Sequence, residues 1–102
     1  MKRIIHNTTY IVNNNIEENW VKFVIKNYIS PLKKYSECKD ILFTKVSIDQ
    51  PEGNTYSIQI VFENEKERSK FIEEVIIPLE DKLLAVYANQ YLTFNSVLSE
   101  IL

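Results

Sequence analysis

The segment from Thr55 to Glu63 constrains the fold most. Tyr56, Ile58, Ile60 and Phe62 alternate with Ser57, Gln59 and Val61, the period of a strand with two unlike faces. A second run, Asp40 to Asp49, precedes it, with Leu42, Thr44, Val46 and Ile48 out of phase with Phe43, Lys45 and Ser47. Gln50-Pro51-Glu52-Gly53-Asn54 stands between them. Proline presets φ and glycine supplies a positive one, so the two runs read as a hairpin.

Around this hairpin the chain repeats a simple order. Residues 3 to 13 alternate, with His6, Thr8, Tyr10 and Val12 on one side and Ile5, Asn7, Thr9 and Ile11 on the other. Asn13-Asn14-Asn15 turns the chain; Asn15 is the predicted N-cap, with Glu18 completing a capping box. A helix follows from Ile16 to about Asn27. Ile16, Trp20, Phe23, Val24 and Asn27 form its inner stripe, and Val21, Ile25 and Tyr28 make the apolar arc wider than one sheet face requires. Ser30-Pro31 is expected to stop it. Residues 32–39 read as an irregular connector.

A second helix opens near Glu65 with Phe71, Ile72, Val75, Ile76, Leu79, Leu83 and Val86 as its stripe. Pro78 lies inside it and predicts a kink or a break. A last strand covers about Tyr91 to Ile101. There is no linker, low-complexity tract or internal repeat, so residues 1–102 read as one domain.

The order β-α-β-β-α-β with right-handed crossovers gives an α+β ferredoxin-like sandwich. A four-stranded antiparallel sheet carries both helices on one face, and the first and third strands are central. The other face is left open. Asn7, Thr9, Ser57 and Gln59 are expected on it among apolar residues, with Asn95 of the last strand added as a fifth binding candidate. Such a mixture suits a ligand or an interface, and it also suits a half-solvated sheet.

The charge pattern narrows the partners. Net charge is −2, with basic and acidic residues interspersed. No basic stripe points to nucleic acid, and no apolar run reaches the ~20 residues of a membrane helix. The apolar start Ile4-Ile5 is broken by His6, Asn7, Thr8 and Thr9, unlike a signal peptide. Cys38 is the only cysteine, which excludes an internal disulfide and fits a cytoplasmic protein.

Chemistry-bearing groups are sparse. With a single glycine, Gly53, the chain has no phosphate-binding loop, and no cofactor is expected. His6 and Cys38 are the only such pair, and neither a catalytic dyad nor a four-ligand metal site follows from them. Glu17-Glu18, Glu73-Glu74 and Glu80-Asp81 are helix neighbours pointing ~100° apart, so they read as solvated faces. Trp20 reads as core.

Several local patterns resemble one family. They are Asn7 to Val12, the Ile-Glu-Glu-x-Trp opening Ile16 to Trp20, Tyr56-Ser57-Ile58-Gln59 after the hairpin, Pro78 in the second helix, and the strand from Tyr91 to Leu98. Together they are similar to the short bacterial domain-of-unknown-function family DUF4286 over nearly the whole chain. The resemblance implies a ferredoxin-like fold of the dimeric α/β-barrel kind and no established activity. Tyr28 and Asn95 depart from the His and Arg that family members tend to carry there.

Three functions stay open. One is a homodimeric binding or structural module that uses the open face. Another is a cofactor-independent, monooxygenase- or isomerase-like enzyme with a pocket between sheet and helices, where Asn7, Gln59, Tyr28, His6 and Asn95 would act. The third is a regulatory domain for amino acids or other small ligands.

Overall fold

A computed structural model of the chain describes residues 2–47 and 53–102. Of the predicted hairpin, Ile48 to Glu52 lie outside the described residues. Strand β1 is Ile4–Val12, β2 is Asp40–Lys45, β3 is Asn54–Phe62 and β4 is Tyr91–Ser99. All pairings are antiparallel, in the order β2-β3-β1-β4. The predicted ferredoxin-like topology is the one observed, with β1 and β3 central.

Helix α1 spans residues 17–32 and helix α2 residues 65–87. Helix α1 runs on past Pro31, where a stop was expected, and of the kink or break expected at Pro78 the break does not occur. In α1, an α-helical stretch Glu17–Val24 widens into a π-helical turn Ile25–Ile29, and α-helix resumes at Ser30–Leu32. In α2, Glu65–Phe71 leads into a π turn Ile72–Ile76, and Ile77–Tyr87 continues. A proline ring clashes with the carbonyl one α-turn back. Widening the turn just before the proline moves that carbonyl aside, so Ser30-Pro31 does not end α1 and Pro78 does not break α2. The Ile25 carbonyl accepts the Ser30 backbone N–H of the π turn and also Ser30 Oγ at 2.8 Å. Ile29-Ser30-Pro31-Leu32 and Ile76-Ile77-Pro78-Leu79 thus place the same device in both β-α-β halves, a repeat the sequence reading did not register.

The predicted cap of α1 also differs. Ile16 occupies the N-cap, and Asn13 Oδ1 accepts from the Asn15 backbone N–H in the preceding turn at 2.9 Å. Glu18 pairs with Lys22 on the surface. Asn64 caps α2, accepting from the Glu67 backbone N–H at 2.9 Å.

The core lies between the helices and one side of the sheet. Tyr10, Val12, Tyr56, Ile58, Ile60 and Phe62 meet Trp20, Val24, Tyr28, Leu32, Phe71, Ile76 and Leu83. The alternation predicted for β1 and β3 matches this division. Ile25, counted in the wide arc of α1, is exposed.

Candidate functional site

The open side of the sheet follows from the pairing register. Asn7 stands opposite Gln59 and Ser96, Thr9 opposite Ser57 and Phe94, Ile11 opposite Thr55 and Leu92, and Ile5 opposite Val61 and Leu98. Leu42 and Thr44 of β2 continue the rows beside Gln59 and Ser57. Four of the expected residues, Asn7, Thr9, Ser57 and Gln59, therefore share one face of adjacent strands.

Three of them form a hydrogen-bonded strip with a residue the sequence reading missed. Ser57 Oγ donates to Asn7 Oδ1 at 2.7 Å. The Asn7 amide donates to Thr9 Oγ1 at 3.2 Å and to Ser96 Oγ at 3.1 Å. Apolar side chains flank the strip, and those of β4 are strongly exposed, Leu92 at 61% and Phe94 at 56%. Charge in these rows is confined to one end, where Asp40 of β2 stands opposite Val61; the rows through Asn7, Thr9 and Ile11 carry none, in a chain with 25% charged residues.

Asn95 is not part of this face. It pairs with Thr8, whose hydroxyl donates to Asn95 Oδ1 at 3.0 Å, and Thr8 is buried on the helix side. The last strand sits so that Ser96, not Asn95, faces the same way as Asn7. A one-residue difference in register moves a side chain to the opposite face, and a single sequence does not set the register of β4 against β1, its neighbour from the other end of the chain.

On the helix side two carboxylates hold buried tyrosines. Tyr10 and Tyr28 both donate to Glu80 Oε2, Tyr28 at 2.5 Å. Burial pushes the Glu80 carboxyl up from its ordinary value, against the two phenol hydrogen bonds that favour its charged form. Burial also raises both phenols, and Tyr91, close to the same carboxylate, is pushed up to about 12. At the other end Glu17 accepts from Tyr56 at 2.5 Å and from Asn54 at 2.8 Å, and pairs with Lys45 at 3.1 Å. These bonds, the one from Tyr56 first, hold its carboxyl below the ordinary value. Trp20 lies between the two groups, its ring 5.1 Å from Tyr10 and 5.2 Å from Tyr56, and its indole N–H has no hydrogen-bond partner.

Glu80 was thus misread as a solvated acid. The usable signal was Tyr10 and Tyr28, two tyrosines at inward positions whose hydroxyls needed acceptors.

His6 and Cys38 have separate surroundings. His6 is buried on the helix side, its Nδ1 3.3 Å from an Arg68 guanidinium nitrogen. Burial, aided by Arg68, lowers its pKa to about 4 and keeps it neutral at pH 7. Burial raises the half-buried Cys38 thiol to about 11, which leaves little thiolate for nucleophilic attack. Among the described residues no cluster of three or more metal-ligating side chains could hold an ion, and no helix is long and apolar enough to cross a membrane.

Residues 3–101 match the family described as Domain of unknown function (DUF4286). The chain belongs to that family. None of the curated proteins matches this DUF4286 chain. Solved structures resemble it in fold. A conserved protein from Methanosarcina mazei Go1 superposes with a TM-score of 0.75 at 15% identity, covering 99% of this chain and 95% of that one. A dimeric ferredoxin-like protein of unknown function from Thermobifida fusca YX gives 0.63 at 15% identity, with 95% and 92% covered. A protein from Nitrosomonas europaea described as a putative antibiotic biosynthesis monooxygenase gives 0.64 at 8% identity, with 97% and 90% covered. At these identities the likeness concerns the fold alone.

Proposed function

We propose that this DUF4286 domain is a homodimeric module that packs its open sheet face against a second copy and encloses the Asn7–Thr9–Ser57–Ser96 strip, with Gln59 beside it. The observation that carries this reading is the uncharged centre of the face, whose one carboxylate, Asp40, stands at the end of an outer row. A face that stays in water is ordinarily rich in Lys and Glu, whereas the centre of an interface is depleted of them. A neutral, partly apolar centre suits a copy of itself, because no opposite charge is needed across the contact. The dimeric description of the Thermobifida fusca neighbour points the same way. The enclosed amide and hydroxyl groups would suit a small uncharged polar ligand.

Light scattering on a size-exclusion column tests it. The wild type should be dimeric at tens of micromolar. Phe94→Asp, which places a charge on an exposed side chain of the face, should raise the dimer dissociation constant by at least about tenfold. A strictly monomeric wild type, or an unchanged Phe94→Asp dimer, refutes the proposal.

A second reading, catalysis between sheet and helices, draws on the buried Glu80–Tyr10–Tyr28 cluster and on the description of the Nitrosomonas europaea neighbour. Turnover of quinol or polyketide-like substrates that Glu80→Gln abolishes would support it. Absence of turnover by the wild type counts against it.

A further inference from the structure

Trp20 is the only tryptophan of the chain, and it stands at the centre of a cluster of rings. Its indole lies 5.1 Å from Tyr10, 5.2 Å from Tyr56 and 6.4 Å from Tyr91, and Tyr10 is 5.9 Å from Tyr91. Tyr91 is only partly buried and brings the cluster to the surface. Core packing accounts for rings in contact. It does not account for how their polar atoms are treated. The two tyrosines nearest the indole each donate to a carboxylate, Tyr10 to Glu80 and Tyr56 to Glu17. The indole N–H is buried and, among the described residues, has no acceptor, although such donors are ordinarily satisfied.

That difference bears on the loss of an electron, to which tryptophan and tyrosine are among the most susceptible side chains. An oxidised indole settles as a neutral radical by shedding its N–H proton, and an acceptor must take that proton. The Trp20 N–H faces none, so oxidised Trp20 stays a radical cation and a strong oxidant. A phenol gives up an electron readily when its proton leaves at the same time. A carboxylate within hydrogen-bond reach takes that proton.

Two phenols meet this condition, and electrostatics chooses between them. The Lys45 ammonium lies 5.9 Å over the Tyr56 ring and pairs with Glu17 at 3.1 Å. A cation beside a ring disfavours removal of an electron from it. The bonds from Tyr56, Asn54 and Lys45 also hold the Glu17 carboxyl below its ordinary value, which makes it a poor base. Burial raises the Glu80 carboxyl instead and makes it the better one.

We infer that Trp20, Tyr10 and Glu80 form a relay for oxidising equivalents, in which an electron passes from Tyr10 to oxidised Trp20 while the Tyr10 hydroxyl proton crosses to Glu80 Oε2, leaving a buried neutral tyrosyl radical. The class of oxidant it intercepts is an organic peroxyl radical, which takes one electron from Trp20 and one proton from water and leaves as a hydroperoxide. Both rings are fully buried, so the tyrosyl radical is kept from coupling with a second molecule. A one-electron reductant of the ascorbate class restores the phenol, Glu80 returning the proton. The relay is independent of the homodimer proposed above.

A laser pulse at the red edge of the indole band, in aerated buffer where oxygen removes the ejected electron, tests the relay on the unmodified protein. Transient absorption should show the tryptophan radical giving way to a tyrosyl radical at a rate independent of protein concentration and slower in D2O. Tyr10→Phe and Glu80→Gln should each slow this conversion at least about tenfold, whereas Tyr56→Phe should leave it within about twofold. A wild type whose tryptophan radical yields no tyrosyl radical overturns the relay, and so does a conversion that Tyr10→Phe leaves unchanged. Should Tyr10→Phe fail to fold, loss of the conversion in Tyr56→Phe, or full speed in Glu80→Gln, overturns it. Under a steady flux of alkylperoxyl radicals, Glu80→Gln should lose its Trp20 fluorescence faster than the wild type; equal loss overturns the assignment of the oxidant.

Discussion

Replacing Glu80 by Ala probes an arrangement in which a single carboxylate oxygen serves two buried phenols. The wild-type side chain accepts from Tyr10, which is fully buried, and from Tyr28, which is 2% exposed. A hydrogen bond to a charged group contributes about 1.5–3 kcal/mol, and a buried donor left without a partner costs about 1–3 kcal/mol. Against this stands the cost of keeping the carboxylate in a largely dry site, which its raised pKa records. Two lost bonds less that relief give a net destabilisation of about 3 kcal/mol for Glu80→Ala. In a domain of this size it should lower the melting temperature by roughly 12–24 °C at about 4–8 °C per kcal/mol. Glu80→Gln keeps an acceptor and should cost less than half as much. In the Glu80→Ala background, Tyr10→Phe should recover part of the loss, because it removes one orphaned hydroxyl. Urea unfolding of the single and double variants, with the slope held as a check on two-state behaviour, measures these quantities. A Glu80→Ala protein within about 0.5 kcal/mol of wild type, or a Tyr10→Phe effect identical in both backgrounds, would refute the reasoning.

Two further predictions concern the strand side and pH. Gly53 has φ +139°, and a Cβ there would lie 2.7 Å from the Val12 carbonyl oxygen; Gly53→Ala should cost about 1–3 kcal/mol in chemical denaturation, and a neutral result would mean that the backbone there is free to shift. His6 is lowered from 6.5 to about 4, so below pH 6.5 the unfolded chain takes up a proton that the folded chain refuses, and stability falls as pH drops from 6.5 toward 4. Glu80 acts with the opposite sign: its raised carboxyl makes the folded state the better proton binder above the ordinary value of 4.5, so this group adds stability as pH falls. Glu80→Gln should therefore steepen the acid loss and His6→Phe should flatten it in urea midpoints taken between pH 7 and 4.5; no change in either profile would show that neither group titrates as described.

How much of this was legible in the sequence depended on distance along the chain. The inner stripe of β3, the inner side of β1 and the core position of Trp20 are periodic, and periodicity is a property of neighbouring residues. The topology followed because right-handed crossovers leave few ways to connect such elements. Asn7, Thr9, Ser57 and Gln59 could be placed on one face because each strand's own parity puts its pair on the side away from the core.

What failed needed knowledge of a distant partner. Asn95 was put on the wrong face because the register of β4 against β1 is set by contacts across most of the chain, down to Arg3 with Glu100 at 2.7 Å. Ser30-Pro31 was taken as a stop and Pro78 as a kink or a break because the rule for proline assumes an α turn before it, and a π turn carries no recognisable sequence period.

The sequence alone, then, determined the α+β ferredoxin-like fold, its strand order and a helix-free face bearing Asn7 and Ser57, since these depend on local pattern and chain connectivity. Only the tertiary structure decided that Glu80 is a buried acceptor for two tyrosines and that β4 ends the sheet with a bare, uncharged edge. Those facts arise from which segments meet in space, and desolvation and strand pairing have no counterpart in the order of residues.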